Sequence, residues 1–171
     1  MKYNPQIHNR KSIRLENYDY SMEGIYFITM CIKNRECILG NIFNSVDVGV
    51  GALDNPKIKL SKYGEIVRHH INKTNQIYSN IMITHYIIMP NHLHFIIFIN
   101  GSSRAPTPTL ANAKIPAIIS MLKRFINKDC GFSIWQRNYY EHIIRNEKEL
   151  YKTIQYIEYN PLNWKEDKYN K

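Results

Sequence analysis

Hydrophobic positions along the chain fall into two kinds of run. Ile25 to Ile32 (IYFITMCI), Ile81 to Met89 and His92 to Ile99 are short, rich in β-branched and aromatic residues, and hardly interrupted by polar ones. Such runs read as strands covered on both faces. Cys37 to Ile42 is a further strand candidate that could pair with the first run as a hairpin across the polar turn Lys33-Asn34-Arg35. Residues 43 to 56, with Gly49, Gly51, Asn55 and Pro56, read as a strand-and-loop excursion. Elsewhere the period is helical. Ser61 can cap a helix whose apolar positions Ile66, Val67 and Ile71 share a face and which ends near Asn75. Ile118, Ile119, Leu122, Phe125 and Ile126 mark a second helix from Ile115 to Asn127. Leu150, Ile154 and Ile157 mark a third from Asn146 to about Asn160, where Pro161 stops it. A short strand between these two helices is expected around Trp135 to Ile144. The order is β, β, α, β, β, α, β, α, which predicts an α+β fold with an antiparallel central sheet and helices packed on it. The runs 81–89 and 92–99, divided by Pro90-Asn91, are expected to be adjacent central strands.

At 171 residues the chain suits a single domain over 1–171, and the stretch NGSSRAPTPTLANA at 100–113 is the segment expected to form a mobile loop within it. Lys and Arg number 23 against 14 Asp and Glu, a formal charge of +9 that favours a phosphate-rich partner. No charged residue lies between Lys73 and Arg104. The apolar tract Ile81 to Ile99 inside this gap is long enough to suggest a membrane span, but Thr84, His85, Pro90, Asn91, His92 and His94 would be costly in hydrocarbon, so no membrane partner is expected. Met1 to Arg14 is polar and basic with no apolar signal core, and a cytoplasmic location is expected. Cys31, Cys37 and Cys130 contain no CxxC pair and read as reduced, mostly buried thiols, with a zinc site at Cys31 and Cys37 lacking the usual ligand spacing.

Two constellations could carry chemistry. His92 and His94 begin a strand, where side chains alternate between faces, so both imidazoles point one way and Leu93 the other. Such a pair can hold a divalent cation, although an isolated His-x-His is more often an ordinary polar pair. Tyr156 and Asn160 stand four residues apart on the last helix, on one face about a turn from each other. A tyrosine beside an apolar helix stripe is usually packing, and there are 13 tyrosines. Tyr139 and Tyr140 are further candidate nucleophiles that read as packing residues or as contacts to a phosphate-rich partner, His142 is a lesser candidate ligand, and His69 and His70 read as solvated.

MPNHLHFII at 89–97, IWQRNYYEHIIRNEKEL at 134–150, YIEYNP at 156–161 and the N-terminal SIRLENYDYSMEGIYFITMCIKNRECILG stand in one order along the chain. Together they resemble the REP-associated tyrosine transposases, IS200-like members of the HUH superfamily of single-strand DNA transposases and nucleases, from about Arg10 to Trp164. The resemblance implies the ferredoxin-like, RRM-like HUH endonuclease fold. It also implies that His92 and His94 ligate a divalent cation, Mg²⁺ or Mn²⁺, that Asn160 completes the metal site, and that Tyr156 is the catalytic nucleophile. The implied reaction cleaves and rejoins hairpin-bearing single-stranded DNA, such as bacterial palindromic repeats, through a 5′-phosphotyrosine, and the implied state is a monomer. Arg10, Lys11, Arg14, Lys123, Arg124, Arg137 and Arg145 are candidate phosphate contacts, with Trp135 and Tyr139 as stacking surfaces. Two other readings stay open: a non-catalytic single-stranded nucleic-acid binding module with an RRM-like sheet, and a phosphodiesterase that activates water. The second would normally gather carboxylates around its metal, and the His-x-His strand has none nearby in sequence.

Overall fold

The computed structural model describes residues 23–43, 56–100 and 115–170. Arg10, Lys11, Arg14 and all but the first residue of the expected 100–113 loop lie outside the described residues. The elements are β1 (Gly24–Cys31), β2 (Gly40–Phe43), β3 (Lys57–Leu60), α1 (Lys62–Ile77), β4 (Ile81–Ile88), β5 (His92–Ile99), α2 (Ile115–Cys130), β6 (Tyr140–Ile144) and α3 (Glu147–Tyr159). Four strands form an antiparallel sheet in the order β4-β5-β1-β6. With α1 and α2 as its crossovers, this is the βαββαβ order of ferredoxin-like and RRM-like folds, and α3 is added after it.

Strand alternation divides the core into two layers. Leu93, Phe95 and Ile97 of β5 point to the face where Val67 and Ile71 of α1 and Ile118, Ile119 and Leu122 of α2 pack. Ile96 points to the other face, where with Phe27 and Ile144 it meets Ile157, Ile154 and Leu150 of α3. A continuous apolar run is therefore what β5 requires, because helices cover both of its faces.

Three expectations need correction. Cys37 to Ile42 does not pair with the first run. Both edges of β1 are taken, by β5 and β6, and a 3₁₀ turn at Lys33–Arg35, with Asn34 and Arg35 at φ 54° and 58°, steers the chain off the sheet. β2 pairs instead with β3, as a separate ribbon running from Gly40 opposite Leu60 to Phe43 opposite Lys57. β4 is an edge strand and not a central one, with a register shift between Ile83 and Tyr86. The stretch from Trp135 contributes only an isolated bridge to Ile32 before β6 begins at Tyr140.

Ser61 caps α1 by accepting from the backbone N–H groups of Tyr63 (3.1 Å) and Gly64 (3.3 Å). Gly64 is what lets this helix start lie against the segment before β2, since a Cβ there would strike the Leu39 carbonyl oxygen and crowd Leu60. Gly64→Ala should therefore destabilise the protein by roughly 1–3 kcal/mol, although Ala favours a helix. Urea unfolding checks this, and an unchanged or raised midpoint contradicts it.

Candidate active site

Cross-strand register builds the floor of the site. His94 sits opposite Thr29 and His92 opposite Cys31 across β5 and β1. Thr29 Oγ1 lies 2.8 Å from His94 Nδ1, and Phe27 stacks on the His94 ring at 5.4 Å. His92 donates from Nδ1 to the Asn91 side-chain oxygen at 2.7 Å, which leaves the His92 Nε2 lone pair free. The two imidazoles are 4.5 Å apart, and both are almost wholly shielded from solvent.

α3 forms one wall. Asn146 caps it by accepting from the Glu149 N–H at 2.9 Å, and its apolar stripe seats it on the sheet face that carries the histidines. This places the Tyr156 hydroxyl 3.4 Å from His94 Nε2, with Phe27 edge-on to the Tyr156 ring at 5.8 Å. One turn on, the buried Asn160 amide comes within reach of both the His92 ring and the Tyr156 phenol. His92, His94, Asn160 and Tyr156 are thus brought together from two parts of the chain, with Tyr156 62 residues after His94.

A carboxylate joins them that the sequence reading missed. After Pro161 the chain turns back through a 3₁₀ turn at Trp164–Glu166, and Asp167 Oδ2 comes to 3.9 Å from His92 Nε2. One ligand atom each from His92, His94 and Asp167 lies within 4.8 Å of the others. Tyr169 covers both imidazoles, with ring centroids 4.7 Å from His92 and 5.7 Å from His94. Asn91 holds this tail in place by donating from Nδ2 to the carbonyls of Tyr169 (2.7 Å) and Arg35 (3.2 Å).

The donors suit a cation. His92 Nε2 and the Asn160 side-chain oxygen are both buried with no hydrogen-bond partner, a costly state that an ion between them would relieve. Burial pulls His92 down to about 4 against the opposing Asp167 carboxylate, and burial with the neighbouring His92 pulls His94 well below its usual range. Both rings are then neutral at pH 7 and can bind a metal without first losing a proton. Burial, reinforced by the Asp167 charge, pushes the Tyr156 phenol up to about 12.

The remaining expected site residues are dispersed. Lys123 donates to the carbonyls of Gln136 (2.8 Å), Arg137 (3.1 Å) and Asn138 (3.3 Å), and Trp135 is 2% exposed with no face open to a base. Tyr139 is half-buried beneath the Lys123 ammonium, while Arg124, Arg137 and Arg145 are exposed. His142 is engaged by Glu149 at 2.6 Å. His70 is buried and bonded to Asp129 at 2.7 Å, so of the two neighbouring histidines only His69 is solvated. Cys37 is exposed, contrary to expectation, while Cys31 and Cys130 are half-buried, and no cysteine joins a metal-type cluster among the described residues.

No model of a known protein family matches the chain. An uncharacterized protein of Haemophilus influenzae is 38% identical, over 97% of this chain and 96% of its own length, so the two belong to one family. A putative REP-associated tyrosine transposase of the same organism is 26% identical over 86% of this chain and 77% of its length. In fold the chain matches the structure of a REP-associated tyrosine transposase bound to a REP hairpin, with a TM-score of 0.62 at 21% identity over 88% of this chain and 74% of that one. In sequence and in fold the chain is thus similar to REP-associated tyrosine transposases. The antiparallel sheet with its packed helices is the fold that the two structures share. No helix among the described residues is long and apolar enough to cross a membrane.

The neutral, buried His92 gives stability a sign with pH. Its folded pKa of about 4 lies below the unfolded value near 6.5, so across that window the unfolded chain holds the extra proton. Stability should fall as pH drops from 6.5 to 4, by about 3 kcal/mol from this group. Denaturant titrations at several pH values should show the slope, and His92→Gln should flatten it. An equal slope in the variant contradicts the assignment.

Proposed function

We propose that the protein is a metal-dependent single-strand DNA transposase and endonuclease that cleaves and rejoins hairpin-bearing DNA through a covalent 5′-phosphotyrosine on Tyr156. The observation that carries this reading is the Tyr156 hydroxyl 3.4 Å from His94 Nε2, over a donor set with two orphaned buried atoms. A nucleic-acid binding module has no use for such a set. The carboxylate of Asp167 makes water activation chemically more reasonable than sequence spacing suggested, but the Tyr156 phenol, 3.4 Å from His94 Nε2, supplies a nucleophile already at the site.

His92, His94 and Asp167 would hold the cation, with the Asn160 oxygen as a further donor. Mixed imidazole and oxygen ligands suit Mn²⁺ as well as Mg²⁺. When bound, the cation would supply positive charge against the scissile phosphate as in-line attack builds negative charge there. Tyr156 attacks phosphorus, forms the phosphotyrosine bond and releases a 3′-hydroxyl. A second 3′-hydroxyl attacking the phosphotyrosine rejoins the strand and returns the phenol.

A phenol with a pKa of about 12 needs a route for its proton. His94 Nε2 has one lone pair and cannot both ligate a cation and accept that proton. Thr29 at Nδ1 fixes the ring so that Nε2 faces the site, and the Tyr156 ring is 43% exposed, which leaves solvent as the proton acceptor. Phe27 and the α3 stripe keep the phenol aimed without blocking that exit. The partner on this reading is single-stranded DNA with a hairpin, bound by a monomer in which one chain completes the site.

With Mg²⁺ or Mn²⁺ and a hairpin-bearing oligonucleotide, a denaturing gel should show a covalent protein–DNA band that is absent for Tyr156→Phe. An undiminished band in Tyr156→Phe overturns the nucleophile. Asp167→Asn should lower metal affinity by about 10–100-fold, read as the metal concentration needed for half-maximal adduct. An unchanged requirement removes Asp167 from the metal site.

A further inference from the structure

Beside the Tyr156 phenol, the sheet, α3 and the tail line an open cleft of about 300 Å³. This is the lower end of the volumes that hold a small molecule, roughly 300–1,000 Å³, and suits a single nucleotide unit better than a longer segment. Tyr140, the first residue of β6, lines one side. Its ring is fixed edge-on to Phe27 at 6.3 Å and is 42% exposed, so it offers a rigid aromatic surface to the cleft. Tyr169 also lines it, and the Lys168 ammonium lies over both rings, 5.9 Å from Tyr140 and 4.9 Å from Tyr169.

The charge of the lining is also suited to a nucleotide. Lys152 stands one helical turn before Tyr156 on α3, and with Lys168 it supplies two exposed ammonium groups. The one carboxylate among the lining residues, Glu149, is already engaged by the His142 ring at 2.6 Å and the Arg145 N–H at 2.8 Å. Aromatic surface, two exposed ammonium groups and a single carboxylate already held by its neighbours, adjoining a nucleophile for phosphorus, match the base and phosphate of one unpaired nucleotide.

We infer that this cleft is a nucleotide subsite, in which Tyr140 stacks the base next to the scissile phosphate while Lys168 and Lys152 hold its phosphate. The inference rests on the single-strand DNA reading of the same site. It makes Tyr140 a binding residue that sets where along the single strand the phosphodiester meets Tyr156. A base stacking on Tyr140 takes the place that Lys168 occupies over that ring, which moves the ammonium outward toward the phosphate.

The test is equilibrium binding, which does not depend on cleavage. Fluorescence anisotropy with a hairpin carrying single-stranded flanks, each flanking position made abasic in turn, should reveal one position where losing the base weakens wild-type binding about ten-fold. In Tyr140→Ala that penalty should fall to under two-fold. Lys168→Met should weaken binding to every flank and reduce its salt dependence by about one phosphate contact. If Tyr140→Ala keeps the full penalty, or if no flanking base costs wild type more than two-fold, the subsite is wrong. A correct binding pattern with no covalent adduct under any metal would instead leave the subsite standing and overturn the phosphotyrosine reaction.

Discussion

Everything at this site depends on the two-residue period of β5. Because His92 and His94 share a face with Ile96 while Leu93, Phe95 and Ile97 share the other, one strand commits its polar end to α3 and its apolar side to α1 and α2. A one-residue slip would bury both imidazoles among the helices and turn Leu93 toward the phenol. Central position in the sheet prevents that slip, since β5 is held along both edges, by β4 and by β1. The same pairing brings Thr29 opposite His94, so the hydrogen bond that orients the ring follows from register.

Burial then sets the chemistry. The imidazoles stay neutral because the sheet, Tyr169 and α3 exclude water from them, and the phenol stays protonated for a related reason. Groups tuned this way are poorly suited to act alone. A neutral histidine pair, an orphaned amide oxygen and a carboxylate gain most from a cation, and a reluctant phenol gains most from a phosphate whose charge is already offset. The basic balance of the chain, +9 overall, brings the polyanion that would carry such a phosphate.

What could be read from the sequence lies inside regular elements. His92 and His94 obey a strand period, Tyr156 and Asn160 a helical one, and both periods survive into the structure because packing on the sheet enforces them. The α+β architecture was legible for the same reason. Asp167 and Tyr169 were not, because they return to the site along an irregular segment after Pro161 whose path is set by Asn91 and Arg35, and no spacing rule encodes that path. Residue type alone also misled. Trp135 was expected to stack on bases and is core, while Lys123 was expected on phosphate and spends its ammonium on three carbonyls. The pairing of β2 with β3 depended on which edges of β1 were already occupied, a tertiary fact.

The central claim is that Tyr156, and no other tyrosine, takes the phosphoryl bond. Proteolysis of the protein–DNA adduct after nuclease trimming, followed by tandem mass spectrometry, measures this directly. The account predicts a nucleotide mass on the peptide containing Tyr156, with the fragment series placing it at that residue. A nucleotide located on Tyr139, Tyr140 or Tyr159 would contradict it.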